Sequence, residues 1–327
     1  PEQLELALDP HATSKLSQLD DLESLYSFGF RGEALGSIRA VATVTLRSRQ
    51  AETQLGHEVT ATQHHCSEPK PVGMPVGTQV HVQDLFKTMP GRRKHLSSKR
   101  ILHRDVSKLL QELALAHPQI AFHLSFDGKQ KFSFPAATTK LERARDVLPD
   151  DIGAHLQSIS HQQEFLEIEA IFTTPQGAQR SRHHQYWYIN GRPVESDALA
   201  SVLDRAYRTR IPKGSFPAGT FFLQLPATLL DVNIHPQKRA VRYMDQATVH
   251  QFIHDALDQH LEQYGTSYRS LPAAESTYLE LNDSASLGET PAQRYAAFSN
   301  LKNNLPLHEL FHPSRDREPP HVLQIAD

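Results

Sequence analysis

Two glycines bracket Phe30 and Arg31 in Gly29-Phe30-Arg31-Gly32, and a helix-forming run follows at once through Glu33-Ala34-Leu35-Gly36-Ser37-Ile38. A helix start carries backbone N–H groups without intrahelical partners, together with the positive end of the helix dipole. Glycine lets an anion approach that backbone closely, so the loop and helix end read as a phosphate cradle. Taken alone, such a turn reads more readily as an ordinary helix cap than as a phosphate site. Directly behind it, Val41–Ser48 alternates β-branched and polar residues as a half-buried strand does. His57–Gln63 and Thr78–Leu85 repeat the strand pattern. A loop feeding a helix and then several strands points to a mixed helix–sheet fold.

The rest of the chain extends this pattern. Residues 91–116 have helical spacing, with Leu96, Ile101, Val106, Leu109, Leu110 and Leu113 on an apolar face, and His117-Pro118 ends the helix. Ile120–Phe126 and Gln130–Phe134 flank Asp127-Gly128, a strong hairpin signal. This hairpin is expected to close a first α/β sandwich. A second unit opens near Ala137, with a helix at about 141–148, strands at 164–173 and 186–190, a helix at 196–208, strands at 219–225 and 232–235, and a final helix at 246–263. Residues 2–8 read as the end of a helix, and 10–28 as a lid beside the phosphate loop. From 266 to 320 the chain is rich in Ser, Asn, Glu and Pro with little periodicity, which is linker composition, and 321–327 reads as the opening strand of a further domain.

Composition narrows the function classes. The net charge of −3 excludes nucleic-acid binding through overall charge, so any such contact needs a local patch. The single cysteine, Cys66, rules out an internal disulfide and suits a reducing cytoplasm. No apolar run approaches the roughly 18 residues that span a bilayer.

Several strings occur in a telling order: His11-Ala12-Thr13-Ser14-Lys15, Gly29-Phe30-Arg31-Gly32-Glu33-Ala34-Leu35, Pro75-Val76-Gly77-Thr78, Pro90-Gly91-Arg92-Arg93-Lys94, Tyr188-Ile189-Asn190-Gly191-Arg192 and Asn233-Ile234-His235-Pro236-Gln237-Lys238. Together, over about residues 1–264, they resemble the MutL family of DNA mismatch repair proteins, within the GHKL ATPases. The resemblance implies an α+β chain: a partial GHKL (Bergerat) α/β sandwich over 1–136, a ribosomal-protein-like β-α-β transducer domain over 137–265, a disordered linker over 266–320, and the start of a dimerising C-terminal domain at 321–327. It implies ATP and Mg2+ as cofactors, a weak ATPase activity in the intact protein, and a homodimer that closes on ATP. DNA bound without sequence preference, MutS, and a downstream nuclease or helicase are the implied partners, in the bacterial cytosol and with no membrane. In the family, the general-base glutamate and the magnesium-holding asparagine precede the His-Ala-Thr-Ser-Lys lid. Because Pro1 lies only ten residues ahead of His11, this chain is expected to lack them and to be inactive by itself, with no metal ligand of its own. The alternative from another class is a non-catalytic DNA-binding scaffold with a vestigial nucleotide site.

The resemblance assigns the nucleotide to Thr13, Ser14 and Lys15 on the lid, to Phe30, Arg31, Gly32, Glu33, Ala34 and Leu35 at the loop and helix start, to Thr78, and to Lys238. Arg31 and the amides of Gly32, Glu33 and Ala34 grip the triphosphate, Phe30 packs under the loop, and Glu33 complements the helix dipole rather than acting as a base. Lys238 is the catalytic assignment: a compact ammonium suited to a terminal phosphate, reaching across from the second domain. Since ATP offers it a partner that ADP lacks, it would link nucleotide state to domain orientation.

For DNA, Lys87, Arg92, Arg93, Lys94, Lys99, Arg100, Arg104 and Lys108 stand against the single acid Asp105. Such a stretch suits backbone phosphates contacted without reading sequence; a solvated helix face is the equal alternative. Arg180, Arg182, His183 and His184 form a second, weaker basic loop. Where family members often carry basic residues after Asn190-Gly191-Arg192, this chain has Glu195-Ser196-Asp197, which weakens the case for DNA on that surface. His64-His65-Cys66 invites zinc, but adjacent strand residues point to opposite faces and no second cysteine exists. The twenty histidines suit pH sensitivity, with nothing in the sequence to localise it.

Overall fold

A computed structural model of the 327-residue chain describes residues 2–9, 34–226, 230–231, 242–243, 246–265 and 323–325. The elements α1 (Glu2–Leu8), α2 (Ala34–Arg39), β1 (Thr43–Arg49), β2 (Gly56–Ala61), β3 (Lys70–Val72) and β4 (Gly77–Gln83) open the fold. The strands form an antiparallel sheet in the order β3-β2-β1-β4. Alternation sends Val44 and Leu46 to one side, level with Ala61 and Val59, and Leu8, Leu35 and Ile38 of the two helices pack on that face. Val80 and Val82 lie opposite Leu46 and Val44 and so continue the same face, yet they are 51% and 41% exposed. The expected strands are present with shifted ends.

The helix expected at 91–116 is broken in two, α3 (Pro90–Lys94) and α4 (Lys99–Ala116). Because the helix restarts at Lys99, its buried face is carried by Leu110, Ala114 and Leu115. Leu96, Ile101 and Leu109, expected on the apolar face, are exposed. The hairpin β5 (Phe122–Phe126) and β6 (Lys129–Phe134) turns at Asp127 and Gly128, with φ of 52° and 70°. Paired positive φ is what a two-residue hairpin turn requires, and Asp-Gly supplies it at little cost.

Beyond the hairpin come α5 (Lys140–Val147), α6 (Asp150–Gly153), β7 (Leu156–Gln163), β8 (Leu166–Thr173), β9 (Gln185–Ile189), β10 (Arg192–Val194), α7 (Asp197–Tyr207), β11 (Gly219–Gln224), β12 (Leu230–Asp231), β13 (Arg242–Tyr243), α8 (Gln246–Leu261) and β14 (Leu323–Ile325). Thr139 and Glu142 cap α5 reciprocally, which fixes where that helix starts. A five-stranded sheet runs β10-β9-β11-β8-β7, with β9 and β11 parallel and the other pairs antiparallel. At the β11–β8 crossing, a Cβ on Gly219 (φ 157°) would sit 2.3 Å from the Ile171 carbonyl oxygen, so only glycine fits. On one face, Ile168, Phe172, Trp187 and Phe221 pack against Leu203, Phe252 and Ile253 of α7 and α8. On the other, Ile171, Tyr186, Tyr188 and Phe222 pack against Leu110, Leu115, Phe122, Ala144 and Ile152.

That second core runs without interruption across residues 136/137. The hairpin is not hydrogen-bonded to β1–β4; β5 pairs with β6 and, in parallel, with β14. Its alternating Phe122 and Leu124 face the α5 side instead. Arg143, fully buried on α5, locks this arrangement: its Nη2 donates to the carbonyls of Pro118, Ile120 and Pro135, each at 2.7 Å. Tyr188 Oη donates to the Glu112 carbonyl at 2.7 Å and ties the sheet to α4. The lid at 10–28, the linker at 266–320 and the strand expected at 232–235 lie outside the described residues, although β12 beside the last pairs with β13.

Candidate nucleic-acid interface and nucleotide residues

Of the residues assigned to the nucleotide, Ala34 and Leu35 begin α2 and Thr78 sits on β4. Thr13, Ser14, Lys15, Phe30, Arg31, Gly32, Glu33 and Lys238 lie outside the described residues. Leu35 is partly buried and packs against the first core, beneath the start of α2. Thr78 is exposed, and its hydroxyl is 2.9 Å from that of Ser48, its register partner on β1. Ser48 escaped the sequence analysis because its proximity to Thr78 arises only from strand pairing.

The basic residues separate into groups. Arg100, Arg104 and Lys108 of α4 line a groove of about 1100 Å³, which is completed by the hairpin, residues 182–188 and residues 193–200. Lys87, Arg92, Arg93, Lys94 and Lys99 do not line it. Lys87 pairs with Asp84 at 2.9 Å, Lys99 pairs with Asp127 of the hairpin turn, and the Arg92 guanidinium lies 6.0 Å from the Phe86 ring centre. The second basic loop reaches the same groove, through Arg182, His183 and His184. So does Lys131 of β6, which sequence reasoning missed because an isolated strand lysine looks like any solvated one.

Carboxylates temper this wall. Arg104 binds the neighbouring Asp105 at 2.9 Å, and Lys108 reaches Glu195 at 2.8 Å and Glu112 at 3.7 Å. The acidic departure at Glu195 thus lands on a groove cation. Arg182 pairs with Asp204 while its guanidinium lies over the Phe216 ring at 4.7 Å. Among the described residues, Arg100 and Lys131 carry no ion pair. Burial, and secondarily Glu112, pushes the Tyr186 phenol up to about 12; burial, Glu112 and Tyr186 raise Tyr188 well above its ordinary value, so both phenols stay neutral. Burial depresses the His184 imidazole, with His183 adding to the effect and Asp151 opposing it. Among the described residues, no cluster of three His, Cys, Asp or Glu side chains can hold a metal ion, and no helix is long and apolar enough to cross a membrane.

Residues 144–262, from α5 to the end of α8, match the family described as DNA mismatch repair protein, C-terminal domain. Over 261 residues, 80% of this chain, the sequence is 38% identical to the DNA mismatch repair protein MutL of Neisseria gonorrhoeae (strain NCCP11945). The chain belongs to the MutL family of DNA mismatch repair proteins. MutL of Coxiella burnetii (strain Dugway 5J108-111) is 35% identical over 266 residues, again 80% of this chain. The chain spans 40% of the Neisseria relative and 46% of the Coxiella one. Among solved structures, the Aquifex aeolicus MutL ATPase domain complexed with ADP aligns with a TM-score of 0.50 at 27% identity, covering 64% of this chain and 76% of that one. The N-terminal domain of a DNA repair protein aligns with a TM-score of 0.63 at 22% identity, covering 80% and 82%, and shares the fold. The mixed helix–sheet, partial GHKL fold expected from the sequence is the fold observed.

Proposed function

We propose that this chain is part of an ATP-dependent mismatch repair factor that couples mismatch recognition by MutS to strand incision by a downstream nuclease or helicase. The observation that carries the DNA half of this reading is the groove. Cations from α4, from β6 and from residue 182 are sequence-distant, yet they line one cavity. Phosphates held this way are gripped without base readout. Support for the nucleotide half comes from membership of the MutL family and from the ADP-bound Aquifex relative. In this reading Arg31, the amides of Gly32 to Ala34 and the lid residues Thr13, Ser14 and Lys15 hold ATP with Mg2+. Lys238 senses the γ-phosphate, and closure joins two copies in the cytoplasm. Residues 1–136 carry the phosphate loop and 137–265 the sensor lysine, followed by a linker (266–320) and the beginning of a dimerising domain (321–327). Hydrolysis is assigned to the intact protein.

Charge reversal at Arg100 and Lys131 tests the groove. DNA retention should fall about tenfold, and the dependence of log K on log salt should flatten by about two. Unchanged retention and salt dependence would return the groove to ordinary surface. For the nucleotide half, Lys238→Ala in the intact protein should weaken ATP-driven dimerisation while leaving thermal stability unchanged. Dimerisation as strong as in the parent would remove Lys238 from the site.

A further inference from the structure

We propose that the groove is a proton-coupled polyanion site, in which His103, His183 and His184 set the charge so that engaging a nucleic-acid backbone takes up protons. The inference rests on the groove reading above and adds its regulation. The permanently charged side chains lining the groove are five Lys or Arg against four Asp or Glu, a net of +1; protonating the three lining histidines would bring it to +4. Three of the four units of net charge reached in that way would therefore sit on imidazoles.

The geometry holds each ring at the wall. His103 lies flat on Phe126, with ring centres 3.9 Å apart and planes at 5°, so its imidazolium form would gain a cation–π contact. The Lys99–Asp127 pair flanks it on the helix and on the hairpin turn, the two charges offsetting each other. His183 is exposed, with Nδ1 2.8 Å from Ser181 Oγ. His184 is half-buried; its carbonyl accepts from the Gly219 amide at 2.7 Å, and its Nδ1 has no hydrogen-bond partner among the described residues. Asp151 of α6 acts on the His184 ring, and Arg182, paired with Asp204 of α7, adjoins His183 in the chain. The groove also holds Arg100 and Lys131, which carry no ion pair among the described residues, the pairs Arg104–Asp105 and Lys108–Glu195, Glu112 beside Lys108, and Asp197.

Burial and the adjacent His183 favour neutral His184 in the free protein. A phosphate backbone brought into the groove reverses that balance, because opposite charge at close range favours the protonated ring. Binding and protonation are then linked, each strengthening the other.

The test uses the full chain, a labelled mixed-sequence DNA oligonucleotide and constant ionic strength. Affinity should rise more than about tenfold as pH drops from about 8 to about 6, and calorimetry in buffers of differing ionisation enthalpy should register proton uptake. His103→Gln, His183→Gln and His184→Gln combined should flatten the pH profile and abolish uptake while binding persists at high pH. The single His183→Gln, at an exposed position, should reduce the slope without touching the fold and guards against a misfolded triple variant. Binding with no pH dependence, or an undiminished slope in both variants, would overturn the histidine coupling while sparing the groove. Absence of binding at every pH would overturn the groove reading and this inference with it.

Discussion

Strands β4 and β9 both alternate, but their surroundings differ. On β9, Trp187 and Ile189 meet α7 and α8 while Tyr186 and Tyr188 meet α4, α5 and the hairpin, and all four are buried. On β4, Val80 and Val82 continue the face of Leu46 and Val44 and still remain 51% and 41% exposed. Alternation decides the side to which a residue points; the layer above decides whether water is removed from it. The five-stranded sheet is therefore a two-sided core, and the four-stranded sheet is a one-sided core with an open rim.

Truncations should separate the two sheets. Phe222→Ala, in the two-sided core, should cost about 3–5 kcal/mol by denaturant unfolding, because it leaves a cavity between β11 and α5. A loss below about 1 kcal/mol would mean that this face is loosely packed. Arg143→Leu should cost at least about 3 kcal/mol, since three carbonyls lose a charged donor in a buried site. If stability held, the three contacts would not be what joins the hairpin to α5.

Acid should weaken the two-sided half next. Burial places His117, His184, His250 and His260 below the ordinary 6.5, so the native state holds them neutral and the unfolded chain binds more protons. That contribution is fully present above about pH 6.5 and is lost as pH falls through the folded values. Melting temperature without ligand should accordingly decline between about pH 7.5 and 5.5; a rise over that range would contradict burial as the dominant cause. Smallest of all, Val80→Thr on the open rim should change stability by less than about 0.5 kcal/mol. A loss above about 1 kcal/mol would show that the rim is covered in solution.

Much of the fold was legible where local chemistry is self-sufficient. Asp127-Gly128 specified its hairpin turn, Thr139 and Glu142 cap the helix expected near 141, and the apolar runs at 164–173 and 219–225 are strands. Strand β7 was missed because Leu156–Gln163 is mostly polar, as befits an edge strand that buries little. The break between α3 and α4 was missed because apolar spacing at Leu96 and Ile101 continues through it. Of the site, Arg100, Arg104, Lys108, Arg182, His183 and His184 were singled out as two separate patches. Their union, and the entry of Lys131, follow from packing the hairpin and α4 beside β9.

The linear chain by itself determined the MutL-type motifs, the helix and strand alphabet and the tight turns, because each depends on residues within a few positions of one another. Tertiary structure decided which cations share a groove, which carboxylates neutralise them and where the histidines gather. Those are consequences of long-range packing, and Coulombic interaction between side chains depends on distance in space rather than on separation along the chain.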